Sequence, residues 1–137
     1  MPALIGVHHV ALTVTDVDRS APWYERVLGF TPIGGVDDGE QAVRKVFLRG
    51  DGLSLMLTLV QHPDGDRAGF DEQRPGLDHL TFAVAADSLD EWTRRLTECG
   101  VTFSPVAEEL TAPGTSVIAL RDPDGIQLVL WAQAKKD

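Results

Sequence analysis

Two stretches of this chain repeat each other in order. HHVALTV at His8 to Val14 returns as DHLTFAV at Asp78 to Val84, and FLRGDGLSLML at Phe47 to Leu57 returns as ALRDPDGIQLVL at Ala119 to Leu130. Between the matched segments each copy runs through a helical stretch closing on Gly, two extended runs and a Gly-containing turn. The offset between copies grows from 70 at His9 and His79, to 71 at Gly29 and Gly100, to 73 at Gly52 and Gly125, the drift expected of small loop insertions. A unit met twice in the same order restricts the fold to paired modules, and two copies of one unit imply a site built between them.

A strand turns successive side chains to opposite faces, so HHVALTV puts His9, Ala11 and Thr13 on one face and His8, Val10, Leu12 and Val14 on the other. The second copy puts His79, Thr81 and Ala83 together, against Leu80, Phe82 and Val84. Each strand therefore has an apolar face for a helix to cover, and a helix follows each at once. Asp16 or Asp18 caps a first helix running to about Leu28, with Pro22 tolerated early, Gly29 as a left-handed stop, and Trp23, Val27 and Leu28 as its buried stripe. Ser88 caps a second helix to about Cys99, in which Leu89, Trp92 and Leu96 recur at helical spacing before Gly100. Trp23 and Trp92 are read as core anchors between helix and sheet.

Extended runs follow at Phe30 to Val36 and Ala42 to Leu48, and again at Val101 to Ala107 and Ser116 to Leu120. The turns Gly50-Asp51-Gly52 and Asp122-Pro123-Asp124-Gly125 then lead into a last strand, with Gly supplying the positive φ that such turns need. Each helix is followed by three extended runs rather than by one parallel strand. The class is therefore α+β, one domain of 137 residues made of two tandem βαβββ modules, about 5–62 and about 76–133, joined by the polar stretch from Gln61 to Gly76. Two four-stranded sheets, each with a helix on one face, can curl their other faces into an open, curved mixed sheet around a shared cavity.

Composition narrows the partners. The net charge is −9, with Lys and Arg scattered, so the basic footprint of a nucleic-acid binder is missing. No apolar run approaches the ~20 residues of a membrane span, and MPALIGVHHVALTV lacks the basic start of a signal peptide, so the expectation is a cytoplasmic protein with no membrane partner. The one cysteine, Cys99, has no internal partner and is assigned to packing.

On the faces turned away from the helices, the candidate cavity residues are His9, Thr13, Met56 and Thr58 from the first module and His79, Thr81, Gln127, Val129 and Trp131 from the second. Ser54 is a further position on that wall. A lone His at a strand start is usually a hydrogen-bonded structural residue, but two at matched repeat positions can supply nitrogen ligands to Zn, Fe, Mn, Co or Ni. Two imidazoles alone hold a metal weakly, and a catalytic site usually adds a carboxylate or a third His.

HHVALTVTDVDRSAPWYERVLGF, followed by GLDHLTFAV and LRDPDGIQLVLW, resembles the vicinal oxygen chelate superfamily, which includes glyoxalase I, extradiol dioxygenases, methylmalonyl-CoA epimerase, fosfomycin-resistance transferases and metal-free bleomycin-binding proteins. The resemblance spans about Ile5 to Trp131. It implies a glyoxalase-like barrel of paired modules around a divalent metal, a small-molecule substrate that chelates through neighbouring oxygens, and a homodimer. Carried over, the opening-strand ligands fall on His9 and His79, while the carboxylates of the closing strands fall on Met56 and Val129, neither of which binds a hard ion. Gln127, two residues earlier on the same face, could ligate only with a shift of register. On this pattern His8 faces the wrong way, and His62 is a loop residue just past the first module's last strand.

Three functions remain open on these residues. One is a glyoxalase- or dioxygenase-type enzyme in which His9 and His79 hold Zn, Ni, Fe or Mn as a Lewis acid, with Gln127, water or the substrate completing the shell. Another is a metal-free module that sequesters an apolar or aromatic molecule. A third is a lyase or isomerase in which His9 or His79 is itself the catalytic base.

Overall fold

The computed structural model describes residues 1–39, 42–108 and 113–133. The chain divides into two compact units, Met1–Ala68 and Gly69–Asp137.

In the first unit, β1 (His9–Thr13) leads through α1 (Val17–Leu28) to β2 (Thr31–Asp37), β3 (Arg44–Arg49) and β4 (Met56–Gln61). The sheet order is β1-β4-β3-β2, with β1 parallel to β4 and the other pairs antiparallel. The parallel pair follows from the helix: a crossover returns the chain in the same direction, whereas the two later turns reverse it. Asp16 caps α1 by accepting the Asp18 N–H at 2.9 Å, and Gly29 closes it at φ 77°. Leu12, Leu48, Leu57 and Leu59 are buried together with Val17, Ala21, Tyr24 and Val27 of the helix, which packs across β3 and β4. The buried stripe is centred on Tyr24 and not on Trp23 or Leu28, which are only half-buried.

The second unit repeats this with β5 (Leu80–Val84), α2 (Leu89–Glu98), β6 (Ala107–Glu108), β7 (Ser116–Arg121) and β8 (Gln127–Ala132), in sheet order β5-β8-β7-β6. Leu96 of α2 is buried, as are Ile118, Leu120, Leu128 and Leu130 of the sheet; Leu89 and Trp92 are half-buried. Two expectations fail here. Ser88 stands at the start of α2 but its hydroxyl donates to Ala85 O at 2.7 Å, so it makes no side-chain cap. The run from Val101 to Ala107 is not a continuous strand: Phe103 forms an isolated bridge to Leu120, and regular pairing resumes only at Ala107. Pro105 lies in between; it lacks the N–H a ladder requires.

The fold is thus α+β, built from two open four-stranded mixed sheets rather than closed barrels. Among the described residues no helix is long and apolar enough to cross a membrane.

Candidate functional site

Strand register decides which predicted residues share a face within each unit. In the first, His9 pairs with Met56, Ala11 with Thr58 and Thr13 with Val60, all on the face away from α1. His9 and Thr13 are exposed, Met56 is half-buried and Thr58 is buried, with Phe47 as its neighbour on β3. In the second unit Thr81 pairs with Val129 and Ala83 with Trp131, and His79 and Gln127 fall one step before the Leu80–Leu128 pair. His79, Thr81, Gln127, Val129 and Trp131 therefore lie on one face of sheet β5-β8-β7-β6.

This register corrects the alignment of the closing strands. Six residues separate Arg49 from Met56, whereas five separate Arg121 from Gln127, and each of these is a paired position. The strand-end counterpart of Met56, beside the opening histidine, is therefore Gln127 and not Val129. Turn length sets strand register: three residues separate Gly52 from Met56 and one separates Gly125 from Gln127, so an alignment on the glycines is out of step by two.

Gln127 is already engaged. Its carboxamide oxygen lies 3.5 Å from Arg121 Nη2. Arg121 also donates Nη1 to Glu72 Oε2 at 3.1 Å, Nη2 to Glu72 Oε1 at 2.8 Å and Nη1 to the Gly125 carbonyl at 2.9 Å. This two-pronged pair fixes the Glu72 segment to the end of β7. The guanidinium hydrogen bonds hold the Glu72 carboxyl down at about 2, below its ordinary 4.5, and Arg121 is raised in turn, by Glu72 first and with a contribution from the charge of Asp78. A depressed carboxylate stabilises the fold above its unfolded value and loses that contribution as pH falls through the folded one. Carbon-13 titration should give a Glu72 midpoint near 2, returning toward 4.5 in Arg121→Gln.

A groove of about 340 Å³ lies on the second unit, lined by Thr102, Phe103, Ser104, Ala119, Leu120, Arg121 and Gln127. Its size falls in the range of small-molecule sites. Phe103, Ser104 and Thr102 gave no signal in the sequence because the bridge that carries them interrupts a strand. His62 borders a cleft of about 10 Å³ with Thr13, Asp66 and Arg67, room for about one water.

Both candidate histidines have a ring partner in the preceding residue. Asp78 Oδ1 lies 2.6 Å from His79 Nδ1. His8 Nδ1 lies 2.8 Å from His9 Nδ1, so His8 reaches the His9 ring despite its alternate place on the strand. In the first unit Arg44 forks onto Asp18 with two contacts of 3.0 Å and lies 3.3 Å from Asp37.

Two sheets of this order, each βαβββ unit repeating the other, define a tandem paired-module fold. The chain belongs to the Glyoxalase/Bleomycin resistance protein/Dioxygenase superfamily, whose family model matches residues 6–130. It is 31% identical over 131 residues to YwkD of Bacillus subtilis (strain 168), an uncharacterized protein, covering 95% of this chain and 98% of that one. The crystal structure of a glyoxylase/bleomycin resistance protein/dioxygenase domain from Frankia sp. EAN1pec superposes with a TM-score of 0.82 at 35% identity, covering 96% of this chain and 99% of that one. The fosfomycin resistance protein FosX of Listeria monocytogenes, crystallised with Mn(II) and sulfate, shares the fold at a TM-score of 0.73 and 20% identity, over 96% and 95% of the two chains.

The metal that such relatives bring to mind finds poor donors here. His9 is paired with a thioether, and the His79 face continues with Thr81 and Val129. An ion on the Gln127 oxygen would sit one coordination bond, about 2 Å, from an atom that faces a guanidinium. Among the described residues no group of three or more His, Cys, Asp or Glu is arranged to hold a metal ion. The residues do not fit a tightly held hard divalent ion.

Proposed function

We propose that this chain acts on a small oxygen-bearing molecule without a tightly held divalent metal, as a lyase or isomerase whose base is His79. The observation that carries the reading is the second unit's end: an imidazole paired to a carboxylate, on the same sheet face as a groove that Gln127 lines. An imidazole exchanges protons near neutral pH and suits general base work. In the step proposed, a C–H bond beside a carbonyl breaks, its proton passes to His79 Nε2 and its electron pair stays on the substrate as an enolate. The imidazolium formed lies against the Asp78 carboxylate, which offsets its charge. With an α-hydroxy ketone the enolate is an enediolate: the hydroxyl proton passes to the former carbonyl oxygen, the second oxygen becomes the new carbonyl, and the proton on His79 returns to the former carbonyl carbon to complete an isomerisation.

The test is nuclear magnetic resonance of the labelled protein with chelator present, titrated with small α-hydroxy ketones, α-keto acids and catechols. We expect signals of His79 and Gln127 to move on binding; binding that appears only after a divalent ion is added would overturn the reading. Sequestration without turnover is a second reading, favoured by the Phe103 and Leu120 walls of the groove. Recovery of the bound compound unchanged after prolonged incubation would select it. The reading includes a homodimer, supported by the exposed apolar Leu4, Ile5 and Val7. Light scattering should return twice the chain mass of 14.9 kDa, and a monomeric mass would remove that part of the proposal.

A further inference from the structure

In each copy of the repeat the side chain before the candidate histidine meets that histidine's Nδ1, yet the two partners differ in chemistry. A carboxylate has no proton to give, so Asp78 accepts from His79 and the ring proton stands on Nδ1. His8 and His9 face each other through Nδ1 atoms, so one donates and one accepts, and either ring can take either part.

We propose that Asp78 is a positioning residue that fixes His79 in the tautomer with its proton on Nδ1, leaving the Nε2 lone pair to receive a proton from a ligand hydroxyl or an acidic C–H. This rests on the metal-independent reading above and deepens it by naming the proton-accepting atom and the ligand group it takes. The hydrogen bond made by one ring nitrogen sets the protonation of the other, and it also holds the ring's orientation. Two observations support Asp78 in that part beyond its own contact. Its charge acts on Arg121, placing it within electrostatic reach of the guanidinium that also faces Gln127. Side-chain exposure of 45% for His79 and 69% for Asp78 leaves the pair open to a ligand. His8 cannot do the same for His9, because an imidazole partner permits both proton positions; the repeat has thus given one unit a fixed acceptor and the other an exchangeable pair.

The experiment reads the imidazole nitrogens directly, by long-range proton–nitrogen correlation on the full chain at a pH where the rings are neutral. His79 Nε2 should resonate in the unprotonated region and Nδ1 in the protonated one. In Asp78→Ala the Nε2 signal should move toward the protonated region, in Asp78→Glu it should return part of the way, and in His8→Ala only His9 should respond. A wild-type His79 carrying its proton on Nε2, or nitrogen shifts unchanged in Asp78→Ala, would overturn the proposal. The wild-type spectrum alone decides it if the alanine variant fails to fold. Added Zn that shifts His79 Nε2 at stoichiometric amounts would sink the metal-independent reading while leaving the proton on Nδ1, so the two failures are distinguishable.

Discussion

Leu57→Ala should lower stability by about 2–5 kcal/mol, the range for truncating a buried leucine, whereas Met56→Ala, one residue away, should cost less. Leu57 is 1% exposed and is the second residue of β4, paired with Val10 on β1 and Leu48 on β3. Its loss removes the transfer energy of a buried side chain and leaves a cavity among Leu12, Leu48, Leu59 and Tyr24 that close-packed neighbours refill only in part. Met56 turns to the His9 face and is half-buried. Against a typical stability of about 5–15 kcal/mol the loss is severe, and a melting point lower by about 10 °C follows for a domain of this size. Thermal unfolding followed by circular dichroism checks it. Equal effects from the two substitutions would mean that the alternation assigned to β4 is wrong.

Met56→Glu should give the His9 face of the first unit a donor that it lacks. Met56 lies opposite His9 on the neighbouring strand. A hard oxygen ligand beside an imidazole suits Mn and Zn far better than a thioether. The gain should exceed the roughly 10–100-fold that even outer-shell partners contribute to metal affinity. Calorimetric titration of both proteins with Mn and Zn measures it. An unchanged affinity would show that this side chain is not what keeps the wild-type His9 face from holding an ion.

The contrast between the two predictions follows how the molecule could be read. The strand alternation, both helices and the Asp16 and Gly29 ends were legible because they rest on local periodicity and capping chemistry. Tyr24 displaced Trp23 in the core because helix orientation depends on which residue meets the sheet, a tertiary matter that adjacent aromatics leave open. The pairing of Glu72 with Arg121 spans 49 residues and carries no sequence signature. The strand-end equivalence of Gln127 with Met56 was hidden because the glycines aligned the turns while the strands beyond them were out of step. Of the candidate site, the histidines were visible from the repeat. Their partners His8 and Asp78 stood beside them in sequence, but strand alternation argued that neighbours face apart. That rule places Cβ atoms and not the ends of side chains at an exposed strand start.

Elemental analysis of protein purified without a metal-affinity tag, after incubation with Mn, Fe, Ni and Zn and removal of loosely held ions, tests the central claim most directly. The account predicts metal well below one ion per chain, with no difference between wild type and His79→Ala. Stoichiometric metal in the wild type that is lost in His79→Ala would contradict it.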